Sequence, residues 1–73
     1  MKKNSEIQRK FGKRVRELRL QRGITSQMAL GYKAKIDRTY IGGVERGERN
    51  IALQNIEKIA KALNVNIEEL FKF

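Results

Sequence analysis

Residues 37–50, "DRTYIGGVERGERN", concentrate side chains that bind anions and hydrogen-bonding groups. Arg38, Arg46 and Arg49 all fall within this one stretch. Each guanidinium is a planar fork of N–H donors, which matches two acceptors on a guanine edge or on a phosphate. Hydroxyl groups are added by two neighbours, Thr39 and Tyr40. These residue types indicate recognition of a polyanion rather than covalent chemistry.

Covalent and metal chemistry lack their usual residues in this chain. The sequence contains no cysteine and no histidine. That excludes disulfides, thiolate and imidazole metal ligands, cysteine nucleophiles and any catalytic triad that needs histidine. The carboxylates are scattered, and each is read as a solvated charge on a helix face. We therefore predict that the protein is not an enzyme and that it uses no metal and no cofactor.

The net charge is +9, from 17 basic and 8 acidic residues in a chain of 73. On so small a domain this charge favours a polyanionic partner, either nucleic acid or an anionic membrane surface. The opening "MKKN" is followed by polar "SEIQRK" instead of an apolar run, so we expect no signal peptide and a cytoplasmic protein. Nine basic residues cluster near the start: Lys2, Lys3, Arg9, Lys10, Lys13, Arg14, Arg16, Arg19 and Arg22.

Apolar residues recur at helical spacing and nowhere alternate at a period of two. With cap residues such as Ser26, Asp37 and Asn66, the spacing predicts an all-α, compact bundle of about five helices forming one domain, 1–73. Gly23, Gly47 and Asn64 are expected to end helices. Met28 or Leu30 is expected to be buried on the second. The other core candidates are Ile7, Phe11, Val15, Leu18, Ile41, Val44, Leu53, Ile56, Ile59, Ala60 and Leu63. Ile67, Leu70 and Phe71 follow the last cap, Asn66.

Gly42 and Gly43 stand inside the third of these helices, where each costs about 1 kcal/mol relative to alanine. Steps of three and four place them on the same face as Arg38, Thr39 and Arg46. We interpret the two glycines as allowing close approach of the helix backbone to a ligand. The alternative is that one of them permits close packing between helices.

Three short helices with a tight turn between the second and third favour a helix-turn-helix, although a plain helical bundle has the same spacing. "SQMALGYKAKIDRTYIGGVERGERN" followed by "IEKIAKALNVNIEELF" resembles the Cro/repressor-type, lambda-repressor-like helix-turn-helix domain, with the motif at about 26–46. More closely, it resembles the controller proteins of restriction–modification systems. The resemblance implies a transcriptional regulator that binds a pseudo-palindromic double-stranded DNA operator as a homodimer, with no small-molecule effector. A phage-type repressor or an antitoxin on the same fold is the alternative role.

The resemblance also implies roles for particular residues. Gln27 corresponds to a glutamine that touches a backbone phosphate. Residues 37–40 form the leading turn of the recognition helix, whose side chains Arg38, Thr39 and Tyr40 meet base edges or phosphates. Glu45 corresponds to a carboxylate that pairs with an arginine of the first helix, here Arg19. Contacts to the sugar–phosphate backbone are implied for Arg46, Arg49 and Asn50.

Three positions depart from the family pattern. Thr25 resembles a one-residue insertion ahead of the motif. Gly31 replaces a usual alanine, which keeps the helices close. Lys35 replaces the usual glycine of the turn, so a left-handed backbone there would cost this residue about 1 kcal/mol.

Two further expectations concern partners. Ile51, Leu70, Phe71 and Phe73 are expected to form the dimer interface, because little chain remains to cover the C-terminal apolar residues. Most of the basic first helix is interpreted as a solvated face. Functions of another class, RNA binding or attachment to a membrane surface, stay as alternatives, although the chain has only two tyrosines, three phenylalanines and no tryptophan to stack on bases or anchor in lipid.

Overall fold

The computed structural model describes residues 5–73, which form four α-helices and one 3-10 helix. Lys2 and Lys3, counted among the basic cluster, lie outside the described residues. No helix within 5–73 is long and apolar enough to cross a membrane. The predicted all-α fold is confirmed, and the fifth element is a 3-10 rather than an α-helix. The elements are α1 (Glu6–Gln21), α2 (Gln27–Ala34), α3 (Arg38–Glu45), α4 (Leu53–Leu63) and the 3-10 helix (Ile67–Phe71).

Local capping chemistry sets the helix ends. The Ser26 hydroxyl accepts the Ala29 N–H at 3.0 Å, which satisfies a donor that the first turn of α2 leaves without a helical partner. Helix α4 ends on Asn64, which takes a left-handed conformation (φ 58°) suited to asparagine. Asn66 occupies the N-cap position of the 3-10 helix, but its side chain makes no cap hydrogen bond. The expected positions of Ser26, Asn64 and Asn66 at helix ends are therefore confirmed, although Asn66 does not cap through its side chain.

One apolar core joins all five elements. Leu30, Ile41 and Ile59 are fully buried and bring α2, α3 and α4 together. Each such side chain contributes about 1.5–3 kcal/mol relative to full exposure. The remaining members of the core cluster are Phe11, Val15, Leu18, Ile24, Val44, Ile56, Ala60, Leu63 and Leu70.

Some predicted core residues lie on the surface instead. Leu30 is buried whereas Met28 is 58% exposed, which decides between the two candidates on α2. Ile7 is 56% exposed and Leu53 is 83% exposed, so their assignment to the core was wrong. Both residues stand in the first turn of their helix, where the apolar spacing continues past the packed part of the face.

Helix α1 crosses α3 at Gly12, which is buried. A Cβ atom added there would overlap the carbonyl oxygen of Val44 and lie 2.8 Å from that of Glu45, too close for any side chain. The two backbones therefore touch directly at this crossing. This contact places the C-terminal end of α3 against the middle of α1.

Candidate nucleic-acid interface

Helices α2 and α3 pack against each other and are joined by a short turn, 35–37, which gives the helix-turn-helix arrangement. Lys35 in this turn has left-handed backbone angles, φ 60° and ψ 44°, as the departure from glycine implied. A Cβ atom on Gly31 would lie 2.5 Å from the Ile36 carbonyl oxygen, so glycine lets the turn fold back onto α2. The turn therefore depends on a left-handed backbone at Lys35 and on the absence of a side chain at Gly31, where the Ile36 carbonyl group comes close.

Helix α3 presents its N-terminal side chains to solvent. The Asp37 carboxylate accepts the Thr39 N–H at 2.7 Å and caps the helix, as predicted. Arg38 and Thr39 are both exposed. The Arg38 guanidinium lies beside Met28, whose sulfur is 3.9 Å from Nη1, and it forms no ion pair with any residue of 5–73. The guanidinium can thus turn toward a ligand without breaking an internal ion pair.

Side chains of other residues cover the two glycines of α3, Gly42 and Gly43. Both are buried, and a Cβ atom on Gly42 would meet Gln27 Oε1 at 2.9 Å and Arg46 Nη1 at 3.0 Å. In the free protein, polar side chains therefore lie over both glycines, and close approach of the helix backbone to a ligand stays a prediction. The alternative, close packing between helices, is supported at Gly42, because Gln27 belongs to α2. It is not supported at Gly43, where the neighbouring atoms belong to Arg49 of the loop. Because positions 42 and 43 have no side chains, the side chains of Gln27, Arg46 and Arg49 can lie against this face of α3.

Arg49 is held by the second glycine and by a tyrosine ring. Its guanidinium carbon lies 4.8 Å from the centroid of the Tyr40 ring, a cation–π contact. The Tyr40 hydroxyl accepts the Ala52 N–H at 3.4 Å. Tyr40 is only half-exposed, whereas Arg49 and Asn50 are exposed in the α3–α4 loop. Arg46, just after α3, is exposed and pairs with Glu48 at 3.1 Å.

A buried ion pair fixes the C-terminal end of α3. Arg19 Nε donates to Glu45 Oε2 at 2.7 Å, and Arg19 Nη2 donates to Glu45 Oε1 at 3.1 Å. This is the pairing that the family resemblance implied. Arg19 also donates to the Ile24 carbonyl oxygen at 3.0 Å, and Gln27 Nε2 donates to Glu45 Oε1 at 3.0 Å. The network ties α1, α2 and α3 together and orients Gln27 at the edge of the interface.

The C-terminal apolar surface differs from the expected one. Leu70 is completely buried, so its place at a dimer surface was wrong: it points into the core from the 3-10 helix. Phe71 and Phe73 are 43% and 53% exposed, and Ile51 is half-buried. The Phe71 ring packs on Phe11 with centroids 5.0 Å apart, which joins the surface aromatics to the core.

Two exposed residues of this surface were not predicted from the sequence. Leu53 and Ile67, 83% and 45% exposed, line a groove of about 290 Å³ together with Phe71. At 100° per residue, Leu53 stands about 70° from the centre of the buried arc of α4. This angular offset was the signal in the sequence that could have indicated the exposure of Leu53. Leu53, Ile67, Phe71 and Phe73 together form the apolar patch.

Ion pairs hold the 3-10 helix and occupy part of the basic face of α1. Arg14 Nε donates to the Glu69 carbonyl oxygen at 2.8 Å, and its Nη2 lies 3.3 Å from the Glu69 carboxylate. The hydrogen bond from Lys72, together with its charge, lowers the pKa of Glu69. On the first turn of α1, Lys10 pairs with Glu6 at 3.3 Å.

The chain belongs to the helix-turn-helix family, whose profile, described as "Helix-turn-helix", matches residues 15–70. Within that family it belongs with the controller proteins. It is 48% identical over 63 residues to "Control protein C.BamHI" of Bacillus amyloliquefaciens, covering 86% of this chain and 78% of that protein.

Solved structures agree with this placement. The restriction-modification controller protein C.AhdI from Aeromonas hydrophila superimposes with a TM-score of 0.83 at 52% identity, over 86% of this chain and 94% of that one. A structure of C.Esp1396I bound to a 19 base pair DNA duplex gives a TM-score of 0.83 at 37% identity, over 93% and 89% of the two chains.

Proposed function

We propose that the protein is a sequence-specific transcriptional regulator that controls a restriction–modification system. It binds a pseudo-palindromic operator on double-stranded DNA as a homodimer and controls its own gene and a neighbouring restriction gene. The whole chain, 1–73, acts as one DNA-binding domain without catalytic activity, cofactor or small-molecule effector. Because its target is DNA, it works in the cytoplasm.

The observation that carries this proposal is the N-terminal turn of α3. A capped helix there holds two exposed side chains, Arg38 and Thr39, clear of internal ion pairs within the described residues. Arg38 reads a guanine through O6 and N7, and Thr39 meets a thymine methyl group or a polar base edge. The similarity to a controller protein bound to a DNA duplex supports the same use of this helix.

Side chains around α3 contact the sugar–phosphate backbone. Gln27, fixed by Glu45, lies at the start of α2, where N–H groups and the helix dipole favour a phosphate. Arg46, Arg49 and Asn50 follow α3 on the exposed loop. The site is completed by Tyr40, Gly42 and Gly43. The Arg46 side chain lies against Gly42, and the Arg49 side chain lies against Gly43 and the Tyr40 ring.

The apolar patch, extended by Ile51, is the homodimer interface. Leu53, Ile67 and Phe71 line one groove, and the Phe73 ring lies beside that of Phe71, with centroids 6.4 Å apart. A soluble monomer rarely leaves such an apolar surface open. In such a dimer, twofold symmetry should bring two recognition helices about 34 Å apart, one turn of DNA. Leu53→Asp should give a monomer in sedimentation at tens of micromolar, with operator affinity reduced. Lys10→Asp, a charge change on α1, is the control, and a dimeric Leu53→Asp variant would exclude this interface.

Paired titrations test the base-reading role. Arg38→Ala should cost about 1–3 kcal/mol on the operator and relax preference at one base position per half-site. Arg49→Ala should weaken operator and scrambled duplex alike, and lower the slope of log K against log salt by about 0.9 for each phosphate that is no longer neutralised. If Arg38→Ala reduces both affinities by the same factor, Arg38 only holds phosphate and the assignment of base reading to it is wrong.

A further inference from the structure

We propose that Gly43 and Tyr40 form a seat that holds Arg49 in its DNA-binding position before DNA arrives. The proposal rests on the proposed function, since it concerns how that function is prepared. It assigns Gly43 and Tyr40 as positioning residues that act through Arg49, rather than as groups that touch DNA themselves.

The geometry of the seat comes from one face of α3. Tyr40 and Gly43 are three positions apart, so they are neighbours on the helix surface. The Arg49 side chain lies across both of them. Its Cγ is 3.0 Å and its Nε 3.3 Å from the position a Gly43 Cβ would take, while its guanidinium carbon lies 4.8 Å from the Tyr40 ring centroid. The stem rests on the glycine and the charged end rests on the ring.

The loop that carries Arg49 is tied down on both sides. On the helix side, the Glu48 N–H donates to the Gly43 carbonyl oxygen at 2.8 Å. On the α4 side, the Ala52 N–H donates to the Tyr40 hydroxyl at 3.4 Å. The backbone on both sides of Arg49 is therefore hydrogen-bonded to Gly43 and Tyr40, the same two residues that the Arg49 side chain contacts.

Holding the arginine in advance matters because long side chains lose rotamer freedom when they bind. A side chain already confined on a surface loses less of it, so the same phosphate contact contributes more to affinity. A Cβ atom at position 43 requires the Arg49 stem to shift by a few tenths of an ångström, and this shift should weaken the contact of the guanidinium with the ring. This accounts for glycine at a helical position where alanine would favour the helix.

A double-mutant cycle tests whether Gly43 acts through Arg49. The variants are Gly43→Ala, Arg49→Ala and the double substitution, titrated with operator and scrambled duplex at two salt concentrations. Gly43→Ala should retain or raise the Tm, because the added Cβ meets only atoms of the flexible Arg49 side chain. It should weaken binding to both duplexes in the parent background and have no effect in the Arg49→Ala background. The coupling should be at least about twofold, the lower range for side chains in contact.

Gly42→Ala is the matched comparison. Its added Cβ would meet Gln27 and Arg46 but not Arg49. Its effect should therefore add to that of Arg49→Ala without coupling. If Gly43→Ala costs the same affinity with and without Arg49, the alanine methyl group obstructs DNA directly and the seat is refuted. If Gly43→Ala leaves affinity unchanged in the parent, the seat is refuted as well.

A measurement without DNA separates this proposal from the proposed function. The Tyr40 ring should shift the NMR signals of the Arg49 side-chain protons upfield in the free protein. Gly43→Ala and Tyr40→Leu should both return these signals toward ordinary arginine values, whereas Gly42→Ala should not. Parent protein that shows the shift but binds no duplex would remove the proposed function alone. Unshifted Arg49 signals in the parent would remove the seat alone.

Discussion

The ion pair between Arg19 and Glu45 is the interaction whose removal should cost the most. Arg19 is only 4% exposed, and Glu45→Ala removes its carboxylate partner. Among the acceptors within residues 5–73, the Ile24 carbonyl oxygen then remains for its guanidinium. It also removes the acceptor of the Gln27 amide. A buried charge without its partner is far more costly than the pair is favourable, because its hydration is not regained.

The magnitude follows from the burial of both partners. Breaking such a pair costs about 3–5 kcal/mol. A domain of 73 residues is stabilised by roughly 4–11 kcal/mol in total. Glu45→Ala should therefore lose from about a quarter to all of the stability of the parent at 25 °C. Replacing both residues, Arg19→Met with Glu45→Leu, should restore much of the stability because no buried charge remains, while Gln27 stays without its acceptor.

Urea unfolding followed by circular dichroism measures these effects. Lys10→Ala is the control, since its pair with Glu6 is exposed and is worth only about 0.3–0.5 kcal/mol. A loss below about 1 kcal/mol in Glu45→Ala would mean that the pair behaves like an exposed one. A double variant as unstable as the single one would show that the missing hydrogen bonds, rather than the stranded charge, set the cost.

Three further outcomes are expected. Lys35→Gly should stabilise the fold by about 1 kcal/mol in urea unfolding, because it relieves the left-handed backbone at that residue. Gly12→Ala should destabilise it by about 1–3 kcal/mol, since a Cβ there runs into the Glu45 carbonyl group. The lowered pKa of Glu69 stabilises the fold fully above its unfolded pKa, and this contribution disappears as the pH falls through the folded value. Acid titration of Glu69→Gln should therefore show less loss of stability across that interval than the parent.

Local signals predicted the helix order and most helix ends. Ser26, Asp37 and Asn64 act through atoms within a few residues of themselves, so their roles can be recognised in the sequence. The burial of Leu70 depends on where the chain end folds back, and the exposure of Leu53 depends on how far the packed face extends. Helical spacing determines neither the burial of Leu70 nor the exposure of Leu53, and for this reason both predictions failed.

The candidate site was predictable in its members but not in its arrangement. The family resemblance identified Arg19 and Glu45 as a pair, and the structure places them in contact. It could not reveal that Gly42 and Gly43 lie under polar side chains. That arrangement depends on the side-chain conformations of Gln27, Arg46 and Arg49, which are fixed by neighbours from three different parts of the chain.

Asp37 gives the recognition helix a selectivity that operates by exclusion. The N-terminus of a helix is an attractive place for any phosphate, whatever the DNA sequence. Here the Asp37 carboxylate already takes the Thr39 N–H, and it adds a negative charge at that end. That charge opposes the approach of a phosphate to the tip of α3. With α3 as the recognition helix, as proposed, it should favour a duplex that places its groove at Arg38 and Thr39 and its phosphates to either side.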